Sequence, residues 1–450
     1  MLVAFTIALA LQASVRVGGD PQGDSARQAR RDSIRVVVEQ RRRDRERRPP
    51  RRIPVTAELE RTAFLDPGAR ALLLRARDAR MRQDSTLASY DASAYQRVSV
   101  GIGFRAIGRD RLLFRTENAS RVRWSREGGA VVDLKGRRTV FPAFAEAEAE
   151  ADMHEIQALP YYPGREALWI GSQEARAEVD DRELVHPIAL GSEAYYRFAS
   201  GDSLDFTLPD GAKINLRELR VEPRRPEWRL SVGSFWFDQS TGQLVRAVYR
   251  LAVPIDVWAI AKEESERARS DTSYRSGGMA GEFRELEEED DVPGWVRAMM
   301  SPLQANLEAV TIEYGLYGGR FWLPRAQYAE GWARAAFMRV PFKIEESFKY
   351  ASVNGGEEMP TVPERPRSLL DSLFASDSTP WSALPREERR RRTQLLVQAA
   401  EDRRKSREAR RAEECERTGT YTSDYEERFD GRLRVALRTP CDTTVLSRSP

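Results

Sequence analysis

Between Ser192 and Val253, apolar and polar residues alternate in short runs separated by turn residues, a period of two that predicts consecutive antiparallel strands. Leu204, Phe206 and Leu208 alternate with polar neighbours, Pro209-Asp210-Gly211 supplies a turn, and Ile214 and Leu216 resume the pattern. A three-residue loop fits best, because Pro209 presets φ and Gly211 can take the left-handed conformation of a bulged hairpin. That register sets Phe206 opposite Ile214 and Leu204 opposite Leu216, whereas a two-residue loop would set each apolar residue against a polar one.

Upstream the period changes. Asp66 can cap a helix with Pro67 at its first position, and Ala69, Leu72, Leu73, Ala76 and Ala79 form an apolar stripe at helical spacing to about Met81. Val98, Val100, Ile102 and Phe104 then alternate, and "RLLFRT", "RVRW", "AVVDL" and "RTVF" follow with short turn-rich gaps. Downstream, Gly318-Gly319 predicts a two-residue hairpin with Leu316 facing Phe321 and Tyr314 facing Leu323, and "FMRVPFKIEESFKY" completes the sheet. Trp295, Val296, Met299 and Met300 gather on one side of a short helix, as core packing or as a lid or membrane-interface contact. The fold class expected is α+β and mostly antiparallel β. A helix followed by meandering strands is the element order of the lipoprotein-carrier fold, a half-barrel in which a curved sheet wraps a helix around an apolar cavity.

Composition shifts divide the chain. Residues 1–13 form an apolar run ending in small and polar residues, resembling a secretory signal peptide cut after Ala13, although no Lys or Arg precedes it. Residues 14–60 read as a basic, disordered linker ending its Arg-heavy part in "RRRDRERRPPRR", and 61–353 as the helix-plus-sheet domain with a mobile insertion at about 262–293. A Pro- and Ser-rich linker (354–385), a charged helix (386–414) and a small hairpin region (415–450) complete the expectation. The ending "PCDTTVLSRSP" suggests a longer natural chain, with a barrel to follow.

Charge narrows the partners. With 73 basic against 70 acidic residues the net charge is +3, too balanced to steer a strongly charged partner. The basic arm lacks interleaved aromatics to stack bases and conflicts with export, so nucleic acid is not expected; attraction to anionic lipid headgroups remains open beside simple solvation. Cys415 and Cys441 are the only cysteines and flank one hairpin; in an oxidising envelope they are expected to form a disulfide contributing about 3 to 4 kcal/mol.

Chemistry is sparse. The two histidines allow one weak metal cluster, Glu150, His154 and Glu155 with His186, against a polar surface turn as the plainer account. No Gly-x-Ser-x-Gly elbow occurs, and the acids from Glu287 to Asp291 lack the alternation of a calcium loop. No cofactor is expected.

The segment from His186 to Ala252 also carries a resemblance. Pro187 followed by Ala194-Tyr195-Tyr196 and Phe198, the Lys213-Ile214 strand, Val221, Pro223-Arg224-Arg225 and the hairpin through Asp238 to Leu244-Val245 resemble the periplasmic region of an uncharacterised bacterial outer-membrane family, the carboxypeptidase-regulatory-like proteins. A weaker echo spans 312–325, and the family's N-terminal regulatory-like domain and C-terminal barrel are missing. The resemblance implies a periplasmic, outer-membrane-associated location more than a chemistry. The leading expectation is a non-enzymatic envelope module binding an apolar ligand or a partner through Leu230, Val232, Trp236, Val245, Ala247, Tyr249 and Leu251. An envelope metal-dependent hydrolase and a structural spacer are the alternatives.

Overall fold

The computed structural model describes residues 53–104, 110–140, 158–163, 184–207, 211, 213–256, 258–260, 301–362, 387, 391, 408–428 and 433–441. The leader, the basic run, the insertion and the Trp295–Met300 segment lie outside them. Two helices, α1 (Ala57–Ala63) and α2 (Pro67–Thr86), precede three long strands, β1 (Ser89–Phe104), β2 (Arg111–Ser125) and β3 (Gly129–Val140). Then come β4 (Tyr196–Thr207), β5 (Lys213–Pro223), β6 (Ser231–Asp238), β7 (Leu244–Leu251), β8 (Ile255–Asp256), β9 (Leu303–Tyr317), β10 (Phe321–Ala335), β11 (Met338–Val353), β12 (Thr420–Arg428) and β13 (Leu433–Pro440). They form one curved, open sheet in the order β12-β13-β3-β2-β1-β11-β10-β9-β7-β6-β5-β4, with β8 on β9. All pairings are antiparallel except β13 with β3. Among the described residues no helix is long and apolar enough to cross a membrane.

The helix expected at Pro67 is α2. Asp66 caps it by accepting from the Ala69 N–H at 2.8 Å, and its other oxygen accepts from the Ser200 N–H at 2.7 Å, so the cap also fastens the helix to β4. All five residues of the predicted stripe are buried, and the helix runs on to Thr86 because Gln83, polar but buried, continues the stripe by bonding the backbone of Trp322 in both directions. Ahead of it, α1 corrects the expected linker: Ala63 is fully buried and Phe64 stacks on Phe198 with ring centres 5.5 Å apart, enough apolar contact to order the chain before residue 61.

The β4–β5 hairpin has the expected register, Leu204 opposite Leu216 and Phe206 opposite Ile214, with Gly211 at φ 87°. The β9–β10 hairpin does not. Phe321 faces Tyr317 and Trp322 faces Leu316, one residue out of the expected register, because the loop takes in Arg320 as well as the two left-handed glycines. This register sends Phe321 and Leu323 with Tyr317 into one apolar cluster and Trp322 with Tyr314 into another. A bulge at Arg325 restores the inward face for Gln327 and Ala329.

The gaps read as turns between "RLLFRT" and "RVRW", and between "AVVDL" and "RTVF", are continuous strand. Their polar residues are partners across the sheet. Arg137 Nε donates to Asn118 Oδ1 at 3.1 Å, Asn118 Nδ2 to Gln96 Oε1 at 3.4 Å, and Gln96 Nε2 to Glu346 Oε1 at 2.7 Å, each residue directly opposite the next. Gln327 stands opposite Glu346 and extends the row to β10. On β1 this polar row separates Ala92 and Ala94, in an aromatic cluster with Tyr90, Trp124 and Tyr350, from Val98 and Val100, in the main core with α2.

The C-terminal hairpin is part of the same sheet rather than a separate region. Residues 408–418 are helical, Cys415 is joined to Cys441 with α-carbons 5.8 Å apart, and β13 runs beside β3 so closely that a β-carbon on Gly129 (φ 80°) would lie 2.5 Å from the Arg434 carbonyl oxygen. The start of the expected linker also packs: Val362 is buried with Val131 and Ala436.

Candidate functional site

The predicted contact residues divide between two places. Leu230, Ala247, Tyr249 and Leu251 lie in the main core beneath α2, Phe235 stacking on Tyr249 at 5.8 Å. Trp236 and Val245 belong instead to the cluster of Ile214, Leu216 and Trp322: Trp236 alternates on β6 with Phe235 and Phe237, which take the core face, and Val245 is the extra residue of a bulge that leaves Phe237 opposite Leu244 and Trp236 opposite Arg246. Val232, opposite Arg250, is half-buried and joins neither. Alternation identified the strands, but β6 is apolar on both faces and the core takes Phe235 and Phe237, while on β7 a bulge re-aims Val245.

Two cavities border this interior. One, of about 20 Å³, is lined by Arg80, Gln83, His186, Phe237, Tyr314 and Trp322 among others, at the C-terminal half of α2. The other, also about 20 Å³, is walled by Leu184, Leu251, Ile255, Ala305, Leu307 and Phe342 with Asn306. Each has room for about one water. Leu251 is the only one of the predicted contact residues among the lining of either. Arg80, Gln83, Tyr314 and Trp322 were missed by sequence reasoning; the buried Gln83 at the stripe's next turn was the available signal.

A clamp holds one wall. Arg77 is buried on α2 and donates to both Glu193 oxygens at 2.6 and 3.0 Å, to the Ile188 and Ala189 carbonyls at 2.9 and 2.8 Å, and to Ser192 Oγ at 3.1 Å. Burial alone would raise the Glu193 carboxyl, but the hydrogen bonds and charge of Arg77, with backbone N–H groups, hold it below its ordinary value. The segment before β4 is thereby fixed against the helix. Beyond it, Tyr196 donates to the Val185 carbonyl at 2.6 Å, and burial pushes its hydroxyl up to about 12.

At the far end of α2 an aromatic nest closes the interior. Tyr90 stacks on Trp124 at 5.3 Å and bonds the Tyr161 carbonyl, Tyr161 donates to Asp84, and Arg80 lies 4.8 Å over the Tyr161 ring. Tyr317 and Tyr350 sit 4.6 Å apart. Burial raises the hydroxyls of Tyr90, Tyr161 and Tyr350 well above their ordinary range, so all remain protonated and none is a base.

His186 sits in this wall with Nδ1 accepting from the Ile188 N–H at 3.0 Å, which leaves its proton on Nε2. Burial, helped by the Arg80 charge, pushes it down to about 3. A cationic neighbour in place of a carboxylate makes it a poor metal ligand. Glu150, His154 and Glu155 lie outside the described residues, among which no three His, Cys, Asp or Glu side chains converge on a common point.

No protein-family model matches the chain, and no match to it was found among the curated proteins. Among solved structures it matches a DUF1329 family protein from Desulfovibrio piger at 11% identity, covering 64% of this chain and 95% of that one with a TM-score of 0.19. A putative outer membrane lipoprotein-sorting protein domain from Vibrio parahaemolyticus matches at 10% identity, over 64% and 93% of the two chains, with a TM-score of 0.18. A LolA superfamily protein from Nitrosomonas europaea matches at 13% identity, over 66% and 94%, with a TM-score of 0.16. At such scores neither a shared ligand nor a shared ancestor follows.

Proposed function

We propose that the chain is a non-enzymatic binding module of the cell envelope that accommodates an apolar ligand between α2 and the curved sheet. The observation that carries this reading is the make-up of the helix face: three of its five stripe residues are alanine, Ala69, Ala76 and Ala79, and cavities remain beside the interior they help to fill. A face of small side chains buries little area per turn, so parting it from the sheet costs less than parting a leucine seam. The ligand would then meet Leu230, Ala247, Tyr249 and Leu251, which already line the core under the helix.

On this reading the protein is exported and works in the periplasm beside the outer membrane. The apolar run of residues 1–13 and the resemblance over 186–252 support that address. A structural spacer is the second reading, favoured by the small size of both cavities.

Native mass spectrometry of protein purified from an envelope fraction distinguishes the two. A co-purifying lipid, together with an apolar dye that binds the native protein and is displaced by lipid, supports the ligand reading. Bare protein that ignores the dye with α2 still docked leaves the spacer.

A further inference from the structure

We propose that the corner formed by Ile53, Val55 and Leu190 docks the protein onto an anionic phospholipid surface. In this corner the chain leading into α1 lies against the turn before β4. The Ile53 N–H donates to Tyr195 Oη at 3.1 Å, and Val55 Cγ2 stands 3.9 Å from where a side chain on Gly191 would begin. Leu190 belongs to a turn whose Ile188 and Ala189 are buried, yet it is 68% exposed, and Ile53 and Val55 beside it are 45% and 40% exposed. The backbone beneath is held in place. Thr56 caps α1, and Arg224 bonds both the Leu59 and Glu193 carbonyls, tying the helix to the turn. Three aliphatic side chains are therefore presented to solvent on an ordered support.

The sequence entering the corner sets the chemistry of what covers them. Residues 41–52 carry eight arginines against two acidic residues and end one position before Ile53. Of the acidic residues on α1, Glu60 is engaged by Arg70 at 2.9 Å, leaving Glu58 to be outweighed. A small apolar patch alone binds a bilayer marginally; joined in sequence to a basic stretch, it supplies one of the two signals that stable surface attachment requires. No directional recognition group is needed, which suits a fluid lipid surface better than a folded acidic partner. The inference stands independently of the ligand reading, since a spacer could dock in the same way.

Flotation of the full chain with vesicles tests it. Binding to phosphatidylcholine vesicles containing about a third phosphatidylglycerol should exceed binding to pure phosphatidylcholine severalfold, and should fall as salt is raised toward about 1 M. Val55→Ser with Leu190→Ser, both at exposed positions, should lower the bound fraction severalfold at an unchanged thermal midpoint. Arg45→Gln with Arg47→Gln and Arg48→Gln should do the same. Equal binding to both vesicle types, no binding at all, loss with the arginine variant but not the patch variant, or retention on an immobilised acidic polypeptide without vesicle binding would each overturn the proposal.

Discussion

Arg77 and Glu193 form the most enclosed ion pair among the described residues, with side chains 7% and 11% exposed. Removing one partner leaves the other charge buried, so Arg77→Met is expected to cost about 3 to 5 kcal/mol in denaturant unfolding, and Arg77→Met with Glu193→Leu to recover much of it. Both this pair and His186 make the fold sensitive to acid. The Glu193 carboxyl is held below 4.5, so its stabilisation is full above that pH and is lost as pH falls through the folded value. His186 is displaced from 6.5 to about 3, and because the unfolded chain takes up the proton first, stability declines as pH drops from 6.5 toward 3. Thermal melts should therefore show a midpoint falling between pH 7 and 5, and His186→Asn, whose Oδ1 can replace Nδ1 as acceptor, should flatten that part of the profile.

Within elements, α2 is the most exposed to test. Leu73 is fully buried, so Leu73→Asp should cost several kcal/mol by placing an unpaired charge in the core, and a near-silent outcome in chemical denaturation would show that the helix does not fill the concavity. Asp66→Ala removes a cap and two bonds to Ser200, for an expected loss of about 1 to 2 kcal/mol. This helix was legible from the cap, the proline and the stripe. So was the β4–β5 register, since only one loop length matched apolar to apolar. The β9–β10 register was not, because Tyr314, Leu316, Phe321, Trp322 and Leu323 are apolar on both faces of their strands and alternation cannot choose between pairings one residue apart. The same limit hid the polar row. Asn118, Gln96, Arg137 and Glu346 look like turn or surface residues singly, and only their opposition across four strands lets Asn118, Gln96 and Glu346 be buried with half-buried Arg137 at the end of the row. The split of the contact residues had two sources: β6 is apolar on both faces, so alternation could not choose Phe235 and Phe237 over Val232 and Trp236, and the bulge at Val245 leaves no mark in composition.

At the scale of the whole molecule, the boundary of the folded unit falls earlier than the basic arm suggested. Deleting residues 14–52 should leave the thermal midpoint within a few degrees, whereas extending the deletion to residue 64 removes Ala63 and the Phe64–Phe198 stack and should lower it markedly. Reduction of Cys415–Cys441 should loosen the last hairpin first, seen as faster amide exchange in β12 and β13 than in β1. The parallel pairing of Val435–Arg438 with Ala130–Asp133 has a further consequence, one of timing. During synthesis β3 emerges some three hundred residues before its outer neighbour, and closing so long a loop is slow. Until residues 433–440 have been made, the nascent sheet carries an open edge on β3, which contains Val131 and Val132, available to any other extended segment. Escort of the unfinished chain would protect that edge until the β12–β13 hairpin arrives to cover it.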